Sequence, residues 1–486
     1  VSGAQIPNSP QRLTLNADTL LNLENDSLRV DAFTLSGLGL NLTGNVSARN
    51  IQENAAFEGR VELPAFNARR LLEQLNQAVT TADANALTSV ALSSQFKGTT
   101  NSLELSNLAL KLDDSNVTGG LALTNLETMS GNFTVNIDSI DADRYLDPTV
   151  EDSPAAAAAP AEPLPVDTLR SLNMKGALNI GALTISGLRM NDIVVQLDAA
   201  NGNVALNPIR AKLYEGNFAG DIALNVAGAE PVATVNTQLG AIALGPLMQD
   251  FMESQYLTGT ADISLALTGR GADSTTIKQN LSGSGKLGVS DGVLQGVNVD
   301  AVLRTLETMI RSRSMQQLPQ GGATEFEEFA ATLQVIEGLV SSNDLRIKAP
   351  GWNISGNGTL ANLRNDTIDF DLVTTVDETP ASDGQPYNLG GYSLPIACTG
   401  ALTGPRCLPD AQTIIASAVQ GAVTRRLGDL LQDRLGGGAQ QQQAPQQNAA
   451  PDGEEPAGDA PAEQPAQEQR RPEEELINRA LDRLRR

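Results

Sequence analysis

From residue 13 onward the chain repeats one short pattern: an aliphatic residue alternates with Asn, Thr, Ser, Asp or Ala for five or six positions, then Gly, Asn or Asp turns the chain. Leu13-Thr14-Leu15-Asn16, Phe133 to Asp138, Ile222 to Val226 and Ile368 to Leu372 all follow it. Period-two alternation puts every apolar side chain on one face of a strand. The pattern predicts a mainly β chain with one long aliphatic face, and it raises the question of what that face covers.

Only 3% of residues are aromatic, with one Trp, so the face is built of Leu, Ile, Val and Ala. That composition does not suit a compact sandwich, which leans on larger side chains. The 486 residues suffice for two to four ordinary domains or one elongated repetitive one. A net charge of −24 disfavours nucleic acid and broad docking on anionic headgroups. Histidine is absent, which removes the commonest general base and metal ligand. The two cysteines, Cys398 and Cys407, are too few for a zinc site. In an oxidising compartment they read as a local disulfide; free buried thiols are the alternative. No run of eighteen apolar residues is present. Residue 1 is Val and the strand pattern begins near Arg12, which reads as a fragment or mature form.

The organisation follows from composition shifts. Residues 1–148 form a first strand-rich part, with candidate strands at 28–35, 38–42, 57–63, 90–96, 103–112, 117–123 and 133–137. One helix interrupts them: Asn67 suits its cap, and Ala68, Leu71, Leu72, Leu75, Ala78 and Val79 share a face. Residues 149–166 are an Ala/Pro-rich linker. A second strand-rich part, 167–408, holds candidates at 178–185, 193–197, 204–209, 211–214, 217–226, 232–239, 259–267, 283–289, 345–348, 352–360 and 367–376. Val302, Leu303, Leu306, Met309 and Ile310 predict an amphipathic helix. Residues 325–337 fit either period. Residues 409–435 carry a strong helical pattern, and 436–486 read as a disordered tail with a short terminal helix that suits a membrane, a partner helix or plain solvent.

Motifs of catalysis are missing. Asp141, Asp143 and Asp147 resemble the start of a calcium loop, but Leu146 stands where Gly is needed and Asp152 where Glu is. The run Leu281 to Lys286 has the wrong spacing for a phosphate loop. Asn-x-Ser/Thr triplets such as Asn45 to Ser47 are expected by chance in so Asn-rich a chain. The chain reads as a non-enzyme with no cofactor.

Five ordered stretches, Leu63 to Leu75, Ile140 to Pro148, Leu206 to Gly216, Ser290 to Val299 and Leu394 to Asp410, together resemble the AsmA family of bacterial envelope proteins. The resemblance implies a long, curled antiparallel sheet that forms an elongated hydrophobic groove, with a few amphipathic helices. It implies a periplasmic protein held at the inner membrane by an N-terminal anchor that this chain lacks. Its expected role is binding and conducting phospholipids between inner and outer membranes, in support of outer-membrane assembly, with outer-membrane or envelope proteins as partners. Periplasmic placement accounts for a Cys398–Cys407 bridge. Under that reading Leu121, Leu123, Val135, Ile137, Leu224, Val226, Ile263, Leu265, Leu267, Phe370 and Leu372 line the groove. The competing reading is an acidic structural or adhesive β-solenoid, although the turn spacing here varies where a solenoid's is fixed.

Overall fold

The computed structural model describes residues 12–147, 163–296, 298–312, 314, 316–317, 319, 321–377, 380–381, 383–388, 393–401 and 406–409. Eight strands come first: β1 (Thr14–Asn22), β2 (Ser27–Gly37), β3 (Leu40–Arg49), β4 (Ala56–Phe66), β5 (Val90–Thr99), β6 (Ser102–Leu112), β7 (Ser115–Asn125) and β8 (Ser130–Asp141). Next are β9 (Asn173–Ile185), β10 (Leu188–Ala200), β11 (Asn203–Leu213), β12 (Gly216–Asn225), β13 (Val232–Ala243), β14 (Leu257–Arg270) and β15 (Ser282–Gln295). The last six are β16 (Ala323–Ile336), β17 (Leu339–Ala349), β18 (Trp352–Asn362), β19 (Thr367–Val376), β20 (Leu394–Ala401) and β21 (Arg406–Pro409).

These strands make one curled, unclosed sheet in sequence order. Every neighbour is antiparallel except one. β8 and β9 run parallel, with Phe133 opposite Gly176 and Ile137 opposite Ile180. Parallel neighbours need a crossover, and the Ala/Pro-rich segment falls at this joint. Only its end is described: Pro163 bridges Asp273, and Val166 starts the helix α2 (Val166–Ser171). The antiparallel order is not that of a solenoid, whose coils stack parallel strands.

Tight turns fix the register. At Ser186–Gly187 and Asn201–Gly202 both central residues have positive φ, the conformation whose twist matches two-residue hairpins. The candidates at 204–209 and 211–214 are one strand, β11, whose register shifts between Leu206 and Ile209, where Pro208 cannot donate to a ladder. Of residues 325–337, all but the turn residue Glu337 lie in strand β16, which pairs on both sides. Their helical spacing is incidental: Ile336, needed on a helix's apolar face, is exposed at the strand end.

Among the described residues, five α-helices decorate the sheet. Asn67 caps α1 (Ala68–Gln74), accepting from the Arg70 amide at 2.9 Å. The helix is shorter than its apolar spacing predicts. Asn76 turns left-handed, and Ala78 and Val79 fall in the following loop. Three helices lacked a clear sequence signal: α2, at the end of the expected linker, α3 (Leu244–Met252) and α4 (Ser274–Gln279). The expected helix near residue 302 is α5 (Val299–Ser312). Beyond Pro409, which ends β21, the helix expected to residue 435 and the tail at 436–486 lie outside the described residues. The largest core packs α3 and α5 onto the sheet, with Ile242, Ala261, Val289, Leu303, Trp352 and Ile354 buried together.

Candidate functional site

Residues directly opposite across a ladder share a face. A single row therefore traces the face from strand to strand. Val30, Val46, Gly59, Phe96, Leu105 and Leu121 pair in turn across β2 to β7. Phe133, Gly176, Leu197, Leu206, Ile222 and Val235 continue through β8 to β13. Leu267, Gly283, Val335, Val340 and Ala361 carry it to β18. Every member is apolar or Gly, and the parallel joint does not break the row.

All eleven predicted lining residues fall on this face. Leu121 and Leu123 stand opposite Phe133 and Gly131, and Val135 and Ile137 opposite Leu178 and Ile180. Leu224 pairs with Ala233; Ile263, Leu265 and Leu267 pair with Leu239, Thr237 and Val235. Phe370 and Leu372 pair with Gly358 and Gly356. Val226 continues the phase of Leu224 just past β12. Leu123, Val226 and Phe370 are buried, so they pack beneath neighbours, whereas the other eight are half-buried. In β4 and β8 the apolar positions are half-buried and the alternating polar ones exposed. No second sheet among the described residues covers the apolar positions, so their partial burial comes from one another along the curl.

The opposite face is polar and cross-linked. Lys175 donates to Asp198 at 2.8 Å, Asn179 to Asn136 at 2.8 Å and Asn236 to Asp221 at 2.7 Å. Such exposed pairs add little stability individually, but they give the sheet a wettable back.

The two rims differ. One carries α1, a 3-10 turn (Ala142–Tyr145), α3 and α5; the other carries α2, α4 and short turns. Four of the family-like stretches lie at the first rim and the fifth begins there, which the alternation could not show.

At β4 to β9 this rim is a polar clamp. Asp113 accepts from the amides of Leu87 at 2.8 Å and of Thr88 and Ser89 at 3.0 Å, and from the Tyr145 hydroxyl. Burial pushes the Asp113 carboxyl up, but those four donors outweigh it and hold it below its ordinary value. Burial and the bond to Asp113 raise Tyr145 to about 12. Arg144 reaches Asp83 at 2.8 Å and Asp114 at 2.9 Å. The would-be calcium loop is part of this clamp. Asp141 caps the 3-10 turn, and Asp143 accepts from the amides of Ser186 and Gly187 at the β9–β10 turn.

At β10 and β11, Tyr214 holds a positive φ, unusual for a bulky residue. Its hydroxyl accepts from the Arg189 amide and donates to Asp250 on α3, and the Arg189 side chain grips the same carboxylate. At β15 to β19, Asn298 caps α5 through the Ala301 amide at 2.8 Å. Asp300 accepts from Trp352 Nε1 and from the Tyr387 hydroxyl. Arg304 forks onto Asp383 and lies 4.2 Å over the Tyr387 ring. Burial, then the bond to Asp300, pushes the Tyr387 hydroxyl well above its ordinary range. The first rim of the apolar face is thus roofed where α3 and α5 sit.

In the last hairpin, Cys398 is disulfide-bonded and buried, and the register sets it opposite Cys407, the one other cysteine of the sequence. No group of acidic or thiol side chains among the described residues is arranged to hold a metal.

A family model described as the AsmA family matches residues 8–345. Protein AsmA of Escherichia coli (strain K12) is 21% identical over 190 residues, covering 38% of this chain and 30% of that protein. The chain therefore matches under a third of the length of that relative. No solved structure matches.

Proposed function

Because the chain belongs to the AsmA family, and that membership supports an envelope-associated protein, we propose that it binds phospholipid on its apolar face and conducts acyl chains along the sheet. In this reading it works in the periplasm between inner and outer membranes. A segment outside this chain anchors it to the inner membrane, and envelope proteins receive the lipid. No described helix is long and apolar enough to cross a membrane.

The observation that carries the proposal is the unbroken apolar row from Val30 to Ala361, with no second sheet over it among the described residues. Acyl chains offer no hydrogen bonds, so a path for them needs few polar interruptions. Each buried methylene contributes about 0.8 kcal/mol, enough to hold a chain with contacts spread over many residues. The proposed role is carriage and not catalysis, in keeping with the absence of histidine.

Native mass spectrometry of the purified chain, with lipid extraction, tests this. Phospholipid should co-purify, and Leu224→Asp with Leu265→Asp should lower its amount several-fold while the circular dichroism spectrum is kept. A soluble, folded chain free of lipid would overturn the reading.

A further inference from the structure

The phenylalanines on the apolar face do not stand up from it. A methyl placed on Gly44 would lie 2.8 Å from the Phe33 ring, one on Gly59 2.7 Å from Phe96, and one on Gly98 3.0 Å from Phe57. A methyl on Gly356 would lie 2.5 Å from Phe370, and one on Gly176 would overlap Phe133. Each ring therefore occupies the volume of its neighbour's missing Cβ. On β4 and β5 the arrangement is reciprocal: Phe57 faces Gly98 while Gly59 faces Phe96, and the two ring centroids are 6.2 Å apart. Covering a strand glycine with a cross-strand ring is a known way to stabilise a weak β position.

Here it has a second effect. A ring lying at the level of a Cβ adds no more height than a Val or Leu. An upright ring would project well beyond them.

We propose that these Phe–Gly pairs set the depth of the apolar trough, and that Phe133–Gly176 is the specificity-determining pair for passage of an unbranched acyl chain. This rests on the lipid reading above. The pair is singled out by place and by chemistry. It lies on the parallel joint, which an acyl chain moving between the two strand-rich parts must cross. At Gly176 the three nearest atoms to an added methyl all belong to the Phe133 ring, a relation shared by Gly292 with Phe326, which is buried in the core, whereas at Gly44, Gly59 and Gly98 a backbone oxygen is closer still. Gly176→Ala therefore acts through the ring, lifting it into the path.

The test incubates purified chain with dioleoyl-phosphatidylethanolamine vesicles, re-isolates it, and counts bound lipid by native mass spectrometry. Gly176→Ala should bind at most half the wild-type amount with an unchanged circular dichroism spectrum. Adding Phe133→Leu to that variant should restore the wild-type amount. Should Gly176→Ala not fold, Phe133→Trp reads the same point and should also bind less. Wild-type uptake with undiminished binding by both Gly176→Ala and Phe133→Trp, or a loss that Phe133→Leu does not repair, overturns the role of the pair and leaves the lipid reading standing. A wild-type chain that takes up no lipid overturns both.

Discussion

The hydroxyl of Tyr145 donates to Asp113 Oδ2 at 3.0 Å, across 32 residues of sequence, and closes the polar clamp that fastens the loop after α1 to the end of β8. Three backbone amides share that carboxylate, so the clamp fails as a unit when Asp113 is lost.

Asp113→Ala leaves three part-buried amides without their acceptor and should cost about 2–3 kcal/mol. Hydrogen exchange should accelerate at residues 76–89 and stay unchanged in α5. Acid should act the same way. The Asp113 carboxyl is held below its ordinary value of 3.8. Its contribution is therefore present above the unfolded value and lost as pH falls through the lowered folded one. The melting temperature of Asp113→Asn should fall less than that of wild type between about pH 5 and pH 2. Parallel curves would assign the acid sensitivity elsewhere.

Leu303 on α5 is 1% exposed and shares a core with Trp352, also 1% exposed and the one Trp of the sequence. Leu303→Ala should destabilise this cap by about 2–5 kcal/mol. Tryptophan emission should start short-wavelength in wild type and shift red at lower denaturant in the variant. Emission at long wavelength in the native protein would refute the burial of Trp352 under α5.

Arg189 grips Asp250 through Nε at 2.6 Å and a second nitrogen at 3.0 Å. Lys cannot reproduce the fork. Arg189→Lys should quicken exchange in α3 with little change in global stability, because the guanidinium is exposed. A large loss of global stability would mean that the pair does more than position the helix.

Reduction of the Cys398 disulfide, or Cys398→Ser, should cost the last hairpin about 2–3 kcal/mol for so short a loop. Faster exchange should be confined to β19 and β20. A change spread evenly over the sheet would overturn this local role.

Much of the sheet was legible because alternation of Leu, Val and Ile with Asn, Thr and Asp is a local signal, and each strand states its own face. Phe133-Thr134-Val135-Asn136-Ile137 reads directly as half of β8. Asn67 likewise announced α1 by its capping chemistry. What stayed hidden is non-local. Nothing near Asp141 says that β8 will meet β9 in parallel. Leu244 to Met252 carries no cap side chain to announce α3. Residues 325–337 match two periods, and only pairing with β15 and β17 decides between them. The glycines at 44, 59, 98 and 176 are places kept for rings on a neighbouring strand, and that relation exists only once the register is known.

Strand order that follows sequence order makes the molecule's length additive. Each further strand advances the sheet by about 4.8 Å along its curve, so twenty steps span about 95 Å. A duplicated hairpin would add about 10 Å and disturb only the strands at its point of insertion. The sheet thus behaves as a ruler whose length is set by counting hairpins, without redesigning a core.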